Sequence, residues 1–153
     1  MIMSIAVTLH LLAAVLWVGG MFFAYVCLRP AALALAPPQR MPLWAGTFAR
    51  FFPWVWAAVV VLPATGYWMI FNVFGGMQQA GLYIHLMQGL GIAMIAIYLH
   101  VFFAPYRRLQ RAVAAADFAA AGQQLGEIRR LIAVNLGLGL VTVVVGSAGK
   151  YWH

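Results

Sequence analysis

The chain has 153 residues, of which 66% are hydrophobic and 7% charged, and nine lysines and arginines against two acidic residues give a net charge of +7. Soluble domains carry about 25% charged residues, so this composition excludes an ordinary soluble domain and predicts one domain of membrane helices. The basic residues lie mainly in two segments, as in the loops on one side of a membrane, and we expect no nucleic-acid partner. The single cysteine, Cys27, excludes a disulfide framework and a CxxC metal pair.

Four apolar stretches are long enough to cross a bilayer, which takes about 20 apolar residues. They are residues 5–28, 53–74, 82–104 and 131–149. The first reads as a retained span rather than a signal peptide, because it lacks a basic start and a small-residue cleavage site. The sequence therefore predicts an all-α integral membrane four-helix bundle, forming one domain over residues 1–153.

The segments between these spans predict the orientation of the bundle. Residues 29–52 hold three arginines, residues 105–130 hold five, and the connection 75–81 holds none. Lysine and arginine favour the cytoplasmic side, so both basic loops are predicted to be cytoplasmic and both termini periplasmic, in a bacterial inner membrane. Within the second basic loop, Asp117 is predicted to cap a helix and Glu127 to pair with Arg130 one turn later.

Histidines inside apolar spans are the strongest functional signal, because a polar ring in hydrocarbon is costly and usually functional. His10 lies roughly 8 Å inside the outer end of its span, and His85 lies at a similar depth in a span running the same way. Lys150 and His153 come to the same side at the end of the fourth span. His100 is about 22 Å deeper than His85, so it cannot share a metal with it.

Helical spacing groups further residues with these histidines. Trp17 shares a face with His10, and Gln88 shares a face with His85. In the fourth span, one face is small and mildly polar: Asn135, Gly139, Thr142, Gly146 and Gly149. Such a face allows close helix packing, and it would also leave a slot for a flat macrocycle.

Two imidazoles on facing helices suit bis-histidine ligation of haem b, so His10 and His85 are predicted as axial ligands. Trp17 and Gln88 would pack beside the ring, and Lys150 would meet a propionate. Copper is the alternative, with His10 and His85 as ligands and His100 and His153 as weaker candidates, since imidazole and thioether both suit copper. Zinc would require three or four ligands. A fourth reading is structural, with histidines that only hydrogen-bond neighbouring helices.

Several motifs resemble known families over nearly the whole chain. His10, Trp17-Val-Gly-Gly20 and Arg29-Pro30 resemble the first helix of the CopD family of small bacterial inner-membrane proteins, and Pro63-Ala-Thr-Gly66 resembles its Thr-Gly-ending helix. Residues 83–109 resemble both CopD and the related HemJ-type proteins.

The CopD resemblance implies copper uptake or resistance, whereas the HemJ resemblance implies haem b and protoporphyrinogen oxidation. Met87 stands where HemJ-type proteins have a lysine, which disfavours that enzymatic activity but leaves the haem site. We therefore expect a haem b-binding redox protein, with a CopD-like copper-binding or copper-transport protein as the alternative. A redox or copper partner on the periplasmic side and a homodimer are further expectations.

Overall fold

The computed structural model describes residues 1–151, and these form helices without any strand. Four helices are long and apolar enough to cross a membrane, as the sequence predicts. They are α1 (Ile2–Ala32), α2 (Pro37–Asn72), α3 (Leu82–Ala114) and α4 (Phe118–Tyr151). The chain is thus an all-α, multi-pass membrane protein.

The helices extend well beyond the predicted spans. Residues 29–52 and 105–130, which the sequence predicts as loops, are mostly helical, and the non-helical connections shrink to 33–36, 73–81 and 115–117. A helix of 31 residues is about 46 Å long, whereas the hydrocarbon layer is about 30 Å thick. Each of these helices is therefore longer than the hydrocarbon layer is thick, and the basic segments are helical extensions of the apolar stretches.

Two of the helices contain a wider, π-helical turn near a proline. In α1 this turn is Phe23–Leu28, just before Pro30, and in α3 it is Phe102–Tyr106, which includes Pro105. Proline lacks the backbone N–H and clashes with the carbonyl four residues earlier, and a wider turn relieves that clash. Both helices then continue as α-helix, to Ala32 and Ala114.

Local signals define where the helices begin and end. Pro37 opens α2 directly after the extended residue Ala36, which suits a proline at the first helical position. Gly75 and Gly76 adopt φ of 77° and 109° in the turn after α2, a conformation that side chains rarely tolerate. The predicted cap at Asp117 is confirmed, because its carboxylate accepts the Ala120 N–H at 3.0 Å at the start of α4.

α1 packs mainly against α2, and α3 packs mainly against α4. α4 also contacts α1 and α2. At one end, His10 of α1 meets Thr65 of α2, and Tyr83 of α3 meets Gly149 of α4. We call this the His10 end. The opposite end carries all eight arginines of the chain and is called the arginine end.

An aromatic cluster fills the core between the two ends. The ring of Phe52 lies 5.5 Å from Tyr98 and 4.7 Å from Tyr106, and the ring of Trp17 lies 6.1 Å from Tyr98. The Tyr98 hydroxyl donates to the Phe52 carbonyl at 3.2 Å. This cluster joins α1, α2 and α3 on the arginine side of His10.

Candidate functional site

His10 is half-buried and forms a hydrogen bond between helices. Its Nδ1 lies 2.8 Å from the Oγ1 of Thr65, which is 55 residues later on α2. A Cβ added at the neighbouring Gly66 would lie 3.4 Å from His10 Cε1, an ordinary van der Waals contact, so the ring packs directly against this part of α2. The Thr-Gly pair of α2 is therefore the immediate partner of the histidine on α1.

The direction of this hydrogen bond follows from the other bonds of Thr65. The Thr65 hydroxyl lies 2.6 Å from the Val61 carbonyl and 3.3 Å from the Leu62 carbonyl, and a carbonyl can only accept. The single hydroxyl proton is thus given to α2 itself, and Oγ1 accepts from His10 Nδ1–H. In the neutral imidazole, that arrangement leaves Nε2 of His10 without a proton, and its lone pair is available to a metal ion.

His85 lies on an exposed face of α3. The buried residues of α3 are on another face, at Ile84, Met94, Tyr98 and Val101. The structure therefore does not bury His85 in the bundle interior as the sequence analysis expected. Ligation of haem b by His10 and His85 together stays a prediction.

The other residues predicted at the site lie in different environments. The Gln88 side-chain amide donates a hydrogen bond to the Tyr67 hydroxyl at 2.7 Å and so connects α3 to α2. Tyr67 directly follows Gly66 in the sequence. Trp17 is buried and packs edge-on against Tyr98. Lys150 is exposed, and its ammonium lies 4.8 Å from the centre of the Tyr151 ring. Their grouping around one cofactor with His10 stays a prediction.

The small face of α4 is filled by side chains. A Cβ at Gly139 would lie 2.9 Å from Val18 Cγ2 and 3.2 Å from Met94 Cε, and a Cβ at Gly146 would lie 2.9 Å from Met87 Cε. These contacts confirm the packing reading of the face. At Gly139 and Gly146 these side chains leave no room for a flat macrocycle against α4.

His100 lies at the arginine end, where its Nε2 is 3.7 Å from Glu127. Glu127 also lies 3.8 Å from Arg108, which replaces the predicted pairing with Arg130 among the described residues. His100 is thus engaged in an exposed ion-pair group far from His10, and His153 lies outside the described residues. Within residues 1–151, no three His, Cys, Asp or Glu side chains come together at a metal-binding distance.

Sequence reasoning selected His10 but did not pair it with Thr65. A Thr-Gly pair inside an apolar span was the available signal, since a hydroxyl in hydrocarbon needs a partner. Helical spacing along α1 could not reveal a contact with a residue so distant in sequence. The hydrogen-bonded pair is visible only once α1 and α2 are packed together.

Four apolar helices, joined by short connections and carrying a histidine held between two of them, define a multi-pass helical membrane protein. Comparison with known families places it more narrowly, because the family described as Copper resistance protein D (CopD) matches residues 45–148. The match covers more than half of the chain, and the protein belongs to the CopD family. No curated protein and no solved structure matches the chain.

Proposed function

We propose that this CopD-family protein binds copper at the His10 end, as a copper-handling protein of the bacterial inner membrane. The hydrogen bond between His10 Nδ1 and Thr65 carries the proposal, because it engages Nδ1 and leaves Nε2 as the nitrogen for a metal ion. A hydrogen bond on the far ring nitrogen is the usual support of a metal-bound histidine. The choice of copper as the metal rests on the family's description, Copper resistance protein D.

The donors at this end suit reduced copper better than zinc. Zinc sites take three or four nitrogen, sulfur or oxygen ligands, and no such cluster exists in residues 1–151. Reduced copper accepts thioether sulfur together with imidazole. Met69 follows Thr65 by one turn of α2, and Met3 precedes His10 by about two turns of α1. Helical spacing puts Met69 on the face of Thr65 and Met3 on the face of His10, and we propose these two methionines as the thioether donors that accompany His10.

The core beyond His10 supports binding at one end rather than conduction through the bundle. Trp17, Phe52 and Tyr98 close the space between α1, α2 and α3 on the arginine side. The small cavity beside them, which Asn135 also lines, has a volume of about 20 Å³, enough for a single water. Eight arginines at the far end would also repel a copper cation. Copper would therefore enter and leave through the His10 end.

We further propose that the His10 end faces the periplasm. The eight arginines at the opposite end support this orientation through the positive-inside rule, although Lys150 lies at the His10 end. The test is labelling of intact cells with an impermeant thiol reagent, using Gln78→Cys in a Cys27→Ser background. Labelling without permeabilisation is expected, and labelling that requires permeabilisation would reverse the orientation.

The test of copper binding is competition with a chromogenic Cu(I) chelator, using the full chain in detergent. The change is Thr65→Val, which keeps the shape of the side chain but removes the acceptor for His10 Nδ1–H. Copper affinity is expected to fall about 10- to 100-fold, as for other supports of metal-bound histidines. His10→Ala should lose more, and His100→Ala, at the other end, is the matched control.

An absorption spectrum of the same samples separates copper from the haem alternative. A Soret band with split visible bands on reduction, together with no copper binding, would replace this proposal with the haem reading. Copper affinity that is unchanged in both His10→Ala and Thr65→Val would also overturn it. The thermal unfolding midpoint of each variant, compared with that of the wild type, is the control for a retained fold.

A further inference from the structure

The arginine end contains a cavity of about 180 Å³ between α1, α2 and α4. Three arginines line it, one from each helix: Arg29, Arg40 and Arg129. Its inner wall includes the buried aromatic rings of Trp44 and Phe48. The cavity thus combines two buried aromatic residues with three arginines in its lining, and it lies on the side of the bundle away from His10.

Within residues 1–151, no carboxylate forms an ion pair with these arginines. The lining of the cavity contains no acidic residue. The chain has only two acidic side chains: Asp117 caps α4, and Glu127 pairs with Arg108. The guanidinium of Arg29 lies 5.0 Å from the centre of the Tyr25 ring, a contact that orients the group but leaves its charge in place. Three arginines thus line the cavity, and among the described residues none of them has an ion pair with a carboxylate.

Two glycines of α4 leave room beside Arg129. Gly122 and Gly126 line the cavity, and a Cβ added at either would meet no atom within 4 Å. One water occupies about 30 Å³ in the liquid, so the cavity has room for a group several times larger. Most of its lining lies outside the four apolar stretches, among the arginines, where a charged ligand can reach it.

We propose that this cavity binds a phosphate group, held by Arg29, Arg40 and Arg129. The guanidinium is planar, always charged and matched to phosphate oxygens, so arginines from three helices can surround one tetrahedral anion. The phosphate can come from the headgroup of an anionic phospholipid or from a soluble phosphate, and basic pockets between membrane helices bind lipid headgroups in this way. The ligand would join α1, α2 and α4 at this end.

The test uses the full chain in nanodiscs of phosphatidylcholine, with the thermal unfolding midpoint as the readout. In one arm, inorganic phosphate is titrated against chloride of equal ionic strength. In the other arm, phosphatidylglycerol replaces phosphatidylcholine in steps. A ligand that binds only the folded protein raises the midpoint as its concentration exceeds the dissociation constant. The wild-type midpoint is expected to rise and to saturate in one of the two arms.

Two matched pairs of variants separate a built site from general surface charge. Arg129→Gln should weaken the response about tenfold or more, whereas Arg130→Gln, next in sequence but outside the lining, should leave it unchanged. Gly126→Leu should abolish the response by filling the cavity without changing any charge. Gly137→Leu, at an exposed position of the same helix, is its control.

A saturating rise with inorganic phosphate assigns a soluble ligand, and a rise only with phosphatidylglycerol assigns a lipid headgroup. A response that Arg130→Gln weakens as much as Arg129→Gln would overturn the site in favour of diffuse charge. The absence of a rise in both arms would overturn it as well. Each comparison uses the ligand-dependent shift of a variant against its own ligand-free midpoint, so a loss of basal stability does not imitate a loss of binding.

Discussion

Replacing Gly139 by alanine tests whether the small face of α4 is closed. The added Cβ would lie 2.9 Å from Val18 Cγ2 and 3.2 Å from Met94 Cε. Val18 is β-branched and stiff at χ1, so the backbone of α1 must move, at a cost of about 1–3 kcal/mol for overpacking. The higher helix propensity of alanine offsets about 1 kcal/mol of that cost.

Gly137→Ala is the matched control, because it lies two residues away on the same helix with nothing within 4 Å of an added Cβ. The propensity gain is common to both variants and cancels in their difference. Gly139→Ala should therefore be less stable than Gly137→Ala by about 1–3 kcal/mol, the overpacking cost alone. For a chain of this size each kcal/mol corresponds to roughly 2–4 °C in the unfolding midpoint.

The assay is thermal and denaturant unfolding of the purified variants in one detergent, followed by circular dichroism. Equal stability of Gly139→Ala and Gly137→Ala would refute the packing of α4 against α1. It would also mean that this face of α4 is open, which would again favour a macrocycle between the helices. Gly146→Ala should give an intermediate result, because the atoms it meets are the flexible end of Met87.

Three further substitutions test contacts in other parts of the fold, each measured by the same unfolding assay. Tyr98→Phe removes the hydrogen bond to the Phe52 carbonyl but keeps the aromatic ring, and it should lower the free energy of unfolding by about 0.6–1.5 kcal/mol. Tyr98→Ala also removes the ring and should lower it by about 3–5 kcal/mol. Equal costs for the two variants would contradict the aromatic cluster. Asp117→Ala removes the cap of α4 and should cost about 1 kcal/mol, while Asp117→Asn should cost much less. Glu127→Gln should cost under about 1 kcal/mol, and less at high salt, because the carboxylate and its partners are exposed; a large cost would indicate a stronger network than the geometry shows.

The number of membrane helices was predictable because hydropathy reports directly on the crossing of hydrocarbon. The helix boundaries were not, since the same signal does not detect the polar parts of a helix outside the membrane. Residues 37–52 contain Arg40, Arg50 and Pro42, yet they continue α2 without a break. In α3 the helix does not end with the apolar stretch at residue 104, because a π-helical turn accommodates Pro105.

The inward face of each span was the least predictable feature of the site. A helix that is apolar on all sides offers no periodic contrast to mark its buried side. For this reason the face of His85 could not be deduced from α3 alone, and the structure buries the face of Met94 and Tyr98 instead. His10 was better constrained, because the residues that share its face in α1, Trp17 and Met21, are both buried.

The two π-helical turns separate the orientation of the side chains at the arginine end from that of the side chains around His10. Such a turn holds one residue more than an α-helical turn, so the side chains that follow it are rotated by about 100° from the positions an unbroken helix would give them. Deleting Phe103 would therefore swing Arg107 and the rest of the α3 extension by more than a quarter of a turn, while residues before the deletion keep their phase. An insertion or deletion of one residue at either turn can therefore rotate the side chains of the arginine end, while the helix faces around His10 stay as they are.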